Sequence, residues 1–341
     1  MDQSINPDFK PAARKTASAE QLFAELRQGN KIALSKSITL IESNDASQQK
    51  IGKEILKLAF PHSGKSKRIG ITGVPGAGKS TFIESVGKNI IANGGKLAVL
   101  AIDPSSSIHK GSILGDKTRM QELSVLPNAF IRPTPSGNEL GGVARNTFET
   151  IILCEAAGYD YIFIETVGVG QSETEVKFLT DFFILLMITG AGDELQGIKR
   201  GIMEMADLII VNKADGNNLE KAKKAAVEIQ NALMILGMNI PGKTTKVQIY
   251  SSTEHSSDSY RNQNEVMALT NEYFELNAGN KLAEIRANQQ LHLFRKSLKN
   301  SILERIIESK NLNDLIHQKE LDILKNQQSA FEAVDEIIKN I

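Results

Sequence analysis

Between residues 17 and 60, apolar positions recur at helical spacing among charged ones (Leu22, Leu26, Ile38, Ile41, Ile51, Ile55, Leu56), which predicts two or three helices ended by Pro61. From residue 68 to 251 the pattern changes. Short apolar runs at 69–72, 97–102, 130–131, 161–164, 182–188, 208–211 and 247–250 alternate with longer helical stretches. That is the rhythm of a mainly parallel sheet with helices on both faces. Beyond Gly279 neither Gly nor Pro occurs, and Leu282, Ile285, Phe294, Leu298, Ile302 and Ile306 follow roughly one helix face. The tail is therefore predicted to be helical. The expected organisation is an α/β domain over 61–278, preceded by a helical region over 1–60 and followed by a helical arm over 279–341. Such an arm packs on its own domain or reaches a second subunit, and the pattern leaves both open.

Composition narrows the class. The chain has 341 residues, 41% of them hydrophobic, enough for a sizeable core. Forty basic residues balance forty acidic ones, so no global basic field favours nucleic acid or an anionic membrane as a partner. A single cysteine, Cys154, excludes an intramolecular disulfide framework and suits a reducing compartment. The polar first residues carry Asp2 and Asp8, unlike the apolar core of a signal peptide or an acid-poor transit peptide, so a cytoplasmic location is expected. The longest apolar run, Phe182–Ile188, is far shorter than the roughly 20 residues of a membrane-spanning helix.

The first chemical signal is Gly73-Val74-Pro75-Gly76-Ala77-Gly78-Lys79-Ser80, placed between an apolar strand and a helix opening at Thr81. This is the context that a P-loop requires. Glycines let backbone N–H groups close around a β-phosphate, and the helix N-terminus adds partial positive charge. Lys79 is expected to reach the β- and γ-phosphates and Ser80 to bind Mg²⁺. The second signal, Asn212-Lys213-Ala214-Asp215, directly follows the run at 208–211, at the carboxyl edge of the sheet. The Asp215 carboxylate can accept from both N1–H and the exocyclic amine of guanine, groups that adenine does not offer there. Such a bidentate pair discriminates by about 1–3 kcal/mol, so GTP is expected over ATP. Ser251 and Ser252, after the last strand, are expected to back the guanine through hydroxyl or backbone N–H groups, or are simply solvated loop residues.

Three acids are candidates for the metal site. Asp103 and Glu165 end predicted strands on the sheet edge that carries the P-loop, and Asp116 lies in the loop between residues 111 and 120. Asp103 has a second reading as a cap for the turn at Pro104 and Ser105. Gly168, within Thr166-Val167-Gly168-Val169-Gly170-Gln171, is expected to contact the γ-phosphate, and another glycine-rich segment spans residues 190–199.

Five segments together, GVPGAGKSTFIE at 73–84, DPSS at 103–106, GDKTRM at 115–120, ETVGVGQSE at 165–173 and GDELQGIKR at 192–200, resemble the GTPase chaperones of adenosylcobalamin-dependent methylmalonyl-CoA mutase, once described as lysine-arginine-ornithine transport ATPases. The resemblance implies a G domain of the dimerising signal-recognition-like class with a C-terminal dimerisation arm. It implies a protein that gates cofactor loading and protects or reactivates the mutase, with GTP hydrolysis as the timing step. Carried over by motif position, Lys79 and Ser80 bind phosphate and Mg²⁺, Asp103, Asp116 and Glu165 organise metal and water, Asn212 and Asp215 hold guanine, and residues 190–199 act as a third switch. Ser252 departs from the family, standing where Ala is usual. Three other readings stay open, one of them an interaction module that binds nucleotide without hydrolysing it. A metal-delivering GTPase normally carries Cys or His cargo ligands, whereas His62, His109, His255, His292 and His317 are dispersed; Asp215 argues against a P-loop kinase or transport ATPase.

Overall fold

The computed structural model describes residues 17–103, 120–135, 142–166, 172–189, 200–235, 237, 245–252, 257–307 and 310–340. The chain divides into two compact units, residues 1–66 with 149–159 and residues 67–148 with 160–341.

In the first unit, helices α1 (Ala19–Arg27), α2 (Lys31–Ile41) and α3 (Ala46–Ala59) form because each start is capped and each buries one apolar side. Ser18 caps α1 in a reciprocal capping box with Gln21, Asn30 caps α2, and Asp45 caps α3. Leu22, Leu26, Leu34, Ile38 and Ile55 are buried between them. The α-helical run stops at Ala59, and Pro61 sits in the short 3₁₀ turn Phe60–His62. Residues 149–156 of a later helix complete this unit. Arg27 donates to the Ala156 carbonyl at 2.8 Å, and Glu155 accepts from Ser66 Oγ and the Gly64 N–H, both at 2.6 Å.

The second unit is built on a seven-stranded sheet of order β3-β2-β4-β1-β5-β6-β7, in which every neighbouring pair is parallel. The strands are β1 (Lys67–Gly73), β2 (Leu97–Asp103), β3 (Ala129–Pro135), β4 (Tyr161–Thr166), β5 (Phe182–Ile188), β6 (Leu208–Asn212) and β7 (Lys246–Ile249). Helices α4 (Lys79–Ala92), α5 (Gln121–Val125), α6 (Gly142–Ala156), α7 (Ser172–Lys177), α8 (Arg200–Met205) and α9 (Leu219–Ile235) lie between them in sequence. The inner strands are apolar almost throughout because helices cover both faces. One core cluster joins Ile69, Ile71, Phe82, Ile83, Val99, Phe163 and Leu186; another joins Leu185, Met187, Ile209, Val211, Ile229 and Leu233.

The helical tail consists of α10 (Ser257–Leu276), α11 (Asn280–Ile307), α12 (Lys310–Leu324) and α13 (Ala330–Lys339). Among the described residues no helix is long and apolar enough to cross a membrane. The architecture is that of a P-loop NTPase with helical regions at both ends of the chain. Strand β1 lies centrally, with β4, β2 and β3 on one side and β5, β6 and β7 on the other. The connection after β1 runs towards β2 and the one after its neighbour β5 runs towards β6, so the chain leaves these adjacent carboxyl ends in opposite directions and opens a crevice there, where α/β sheets bind ligands.

Candidate functional site

The loop that follows β1 is shaped by close packing. At Gly73 a Cβ would lie 2.3 Å from the Leu186 carbonyl oxygen of neighbouring β5, so only glycine lets the strand run into the loop here. The Ala77 N–H closes a turn onto the Val74 carbonyl at 3.1 Å, and Pro75 and Gly76 form its outer bend. Gly78 caps α4 with φ 84°, and Lys79, Ser80 and Thr81 make its first turn. The Lys79 ammonium donates to the carbonyls of Gly73 at 2.8 Å and Val74 at 3.2 Å, which holds the cation inside the curve of the loop. Backbone N–H groups at a helix start beside a fixed ammonium form an anion cradle for a polyphosphate.

Across the crevice, Ser80 Oγ donates to Glu165 Oε1 at 3.2 Å. Glu165 comes from β4, which pairs with β1 in register, and the neighbouring Thr166 hydroxyl donates to Thr72 Oγ1 at 2.8 Å. A hydroxyl and a nearly buried carboxylate at an open sheet edge are hard oxygen donors, the type that suits Mg²⁺. Asp103 is the last residue of β2, two strands from β1, so its backbone reaches the same edge, while its side chain is outside what is described. Asp116, Gly168 and residues 190–199 also lie outside the described residues.

The second motif folds as a loop pinned from several sides. Asn212 ends β6, and its Nδ2 donates to the Ala77 carbonyl in the P-loop at 2.7 Å. Lys213 adopts φ 60°, a left-handed conformation that costs a side-chain-bearing residue about 1–2 kcal/mol. Three contacts hold it there. The Ala214 N–H donates to the Tyr250 carbonyl at 2.8 Å, Asn218 Nδ2 donates to the Lys213 carbonyl at 2.7 Å, and Asn218 Oδ1 accepts from Thr189 Oγ1 at 2.8 Å. Asp215 Oδ2 accepts from Ser251 Oγ at 2.9 Å, and Asn212 Oδ1 accepts from Ser252 Oγ at 3.1 Å. The structure thus brings Lys79, Ser80, Glu165, Asn212, Lys213, Asp215, Ser251 and Ser252 to one edge of one sheet.

Sequence reasoning passed over Asn218, Thr189 and Tyr250. The first two are polar loop residues with no motif to mark them. Tyr250 reads as a strand end, yet its ring meets Phe82 edge-on at 5.0 Å and its hydroxyl donates to Ser85 Oγ at 2.9 Å, tying the end of β7 to the P-loop helix. Burial pushes this phenol above its ordinary pKa, only partly offset by hydrogen bonds with Ser85 and Gln263.

A family model described as methylmalonyl-CoA mutase-associated GTPase MeaB matches residues 34–311. A putative GTPase of Caulobacter vibrioides is 55% identical over 228 residues, which span 67% of this chain and 70% of that protein. GTPase ArgK of Escherichia coli is 50% identical over 220 residues, 64% of this chain and 66% of its own length. The mitochondrial methylmalonic aciduria type A homolog of Mus musculus is 48% identical over 227 residues, 64% of this chain and 55% of its own length. The crystal structure of a LAO/AO transport system kinase aligns with a TM-score of 0.73 and 34% identity, covering 94% of this chain and 96% of that one.

Proposed function

The chain belongs to the methylmalonyl-CoA mutase-associated GTPase family, and on that premise we propose that it is a GTP-hydrolysing chaperone of an adenosylcobalamin-dependent acyl-CoA mutase of the methylmalonyl-CoA mutase type. In this reading it gates cofactor loading and protects or reactivates the mutase, and hydrolysis times the cycle. The observation that carries the nucleotide half is the 2.7 Å bond from Asn212 to the Ala77 carbonyl, which joins a phosphate cradle to a guanine-selecting loop in a single crevice. The mutase half is supported by the family description.

Phosphoryl transfer depends on positioning and charge neutralisation. The amides of Gly76 and Gly78, with Lys79, cradle the β- and γ-phosphates in the loop that Gly73, Pro75 and Ala77 shape, and Thr81 extends the helix start beneath them. Ser80 and Glu165, joined by Asp103 and Asp116, would hold Mg²⁺, which supplies charge neutralisation at the phosphate oxygens. Glu165 or the loop containing Gly168 orients the attacking water. Asp215 takes the two donors of guanine, and leaving that carboxylate unpaired penalises adenine. Intrinsic hydrolysis is slow and the mutase accelerates it. The protein works as a homodimer through its helical arm.

The test is the GTP hydrolysis rate with and without a purified adenosylcobalamin-dependent acyl-CoA mutase, with Lys79→Ala as the blank. We expect the mutase to raise the rate at least several-fold and Lys79→Ala to abolish it. A rate indifferent to every such mutase would overturn the chaperone reading and leave the GTPase.

A further inference from the structure

Ser252 lies three residues past the end of β7 at Ile249, and its hydroxyl is committed to Asn212. The chemistry of the amide fixes the direction of every bond in this group. The Ala77 carbonyl can only accept, so the nitrogen of the Asn212 amide must face it, at 2.7 Å. The amide oxygen then points the other way and cannot donate, so the 3.1 Å contact with Ser252 is a bond donated by the Ser252 hydroxyl. Asn212 is 1% exposed and Ser252 9% exposed, so water is poorly placed to substitute for either partner. Backbone bonds hold the Ser252 segment in place. The Tyr250 N–H donates to the Val211 carbonyl at 2.9 Å, and the Tyr250 carbonyl accepts from the Ala214 N–H at 2.8 Å.

We infer that Ser252 is a positioning residue of the guanine site: its hydroxyl sets the Asn212 amide instead of touching the base, and so joins base recognition to the P-loop. The inference rests on the guanine reading given above. One amide hydrogen of Asn212 is used by Ala77, and the second, which meets no other acceptor among the described residues, is assigned to the purine edge, N7 or O6. Without the Ser252 donor the amide oxygen loses its fixed partner, and rotation of the amide weakens the base contact and the P-loop contact together. Ser251 does the corresponding task for the Asp215 carboxylate at 2.9 Å, so each of the two base-facing side chains has its own hydroxyl support.

The experiment is a double-mutant cycle on GDP binding, read by isothermal titration of the full chain with Ser252→Ala, Asn212→Ala and the double variant. The expected loss from Ser252→Ala alone is about 3- to 10-fold, the worth of one net hydrogen bond. In the Asn212→Ala background the same change should cost less than about twofold, because its route to the nucleotide has already been removed. A loss of the same size in both backgrounds means that the hydroxyl acts on the base directly and overturns the inference. So does a Ser252→Ala protein that binds GDP like the parent. Should Ser252→Ala fail to fold, Ser252→Cys keeps the volume with a weaker donor and enters the same cycle. A parent chain that binds GDP no better than ADP would instead sink the guanine reading itself, an outcome distinct from a GDP-selective parent that is insensitive to Ser252.

Discussion

Gly78 and Gly76 share a left-handed backbone, with φ 84° and 80°, but not the same surroundings. A Cβ on Gly76 meets nothing within 4 Å, whereas one on Gly78 lies 2.7 Å from Asn212 Nδ2. Alanine at either position pays the left-handed penalty of about 1–2 kcal/mol. At Gly78 it also pushes the Asn212 amide away from the Ala77 carbonyl, adding the loss of a buried hydrogen bond, about 1 kcal/mol. Urea denaturation should therefore show Gly78→Ala destabilised by about 1 kcal/mol more than Gly76→Ala, and GDP titration should show it as the weaker binder. Equal losses in both measurements would mean that Asn212 tolerates the crowding. The glycines, Lys79 and Ser80 were legible in the sequence because a P-loop is contiguous and its spacing carries its geometry. The ties that link Ser252, Asn212 and Ala77 were not, because they assemble three distant segments through partners that no spacing encodes.

One element shows the same division. The tail beyond Gly279 reads as helix, and α11 is one, but its attachment could not be read from the pattern. Arg286 looks like any solvated charge on a helix. In the fold it grips Asp181 with two bonds, Nε to Oδ1 at 2.9 Å and Nη2 to Oδ2 at 2.7 Å, and the Asp181 side chain is fully buried. Further along, Gln289 donates to the Thr180 carbonyl at 2.7 Å, His292 stacks on Phe178 at 4.0 Å, and Lys296 pairs with Glu175. These contacts bind α11 to α7 and to the stretch between α7 and β5, just past the segment expected to sense the γ-phosphate. Burial decides their worth. Removing one partner of a buried pair strands the other charge, so Arg286→Ala should cost about 3–5 kcal/mol, moderated by the Arg68 N–H that also donates to Asp181 at 3.0 Å. Lys296 and Glu175 are each about one-third exposed, so Lys296→Ala should cost less than about 1 kcal/mol. Denaturant midpoints of the two variants decide the matter, and similar losses would refute the burial argument. Strand β3 was under-read for a related reason: Arg132, Pro133 and Pro135 hide its length, and prolines are tolerated because it is an edge strand paired only with β2.

At the scale of the whole molecule the tail leaves several large apolar side chains exposed. Leu291, Phe294, Leu298 and Ile302 follow one another at helical spacing on α11, each about half-exposed, and on α13 Phe331 is 87% exposed beside Val334 and Ile338. Covering the four α11 residues in a two-fold pair supplies on the order of 8 kcal/mol, counting both copies. Association itself costs about 4–15 kcal/mol, so this stripe alone gives a weak pair, and micromolar affinity, about −8 kcal/mol net, requires the α13 stripe as well. The proposed homodimer therefore makes a claim about both helices. Sedimentation equilibrium should find a dimer with a micromolar or tighter dissociation constant, and Phe294→Asp and Phe331→Asp should each weaken it at least about tenfold, since a charge must then be desolvated within the contact. A parent chain that remains monomeric at high micromolar concentration would refute self-association through this surface. A dimer that ignores Phe331→Asp would confine the contact to α11 and require far more of that helix than its exposed residues supply.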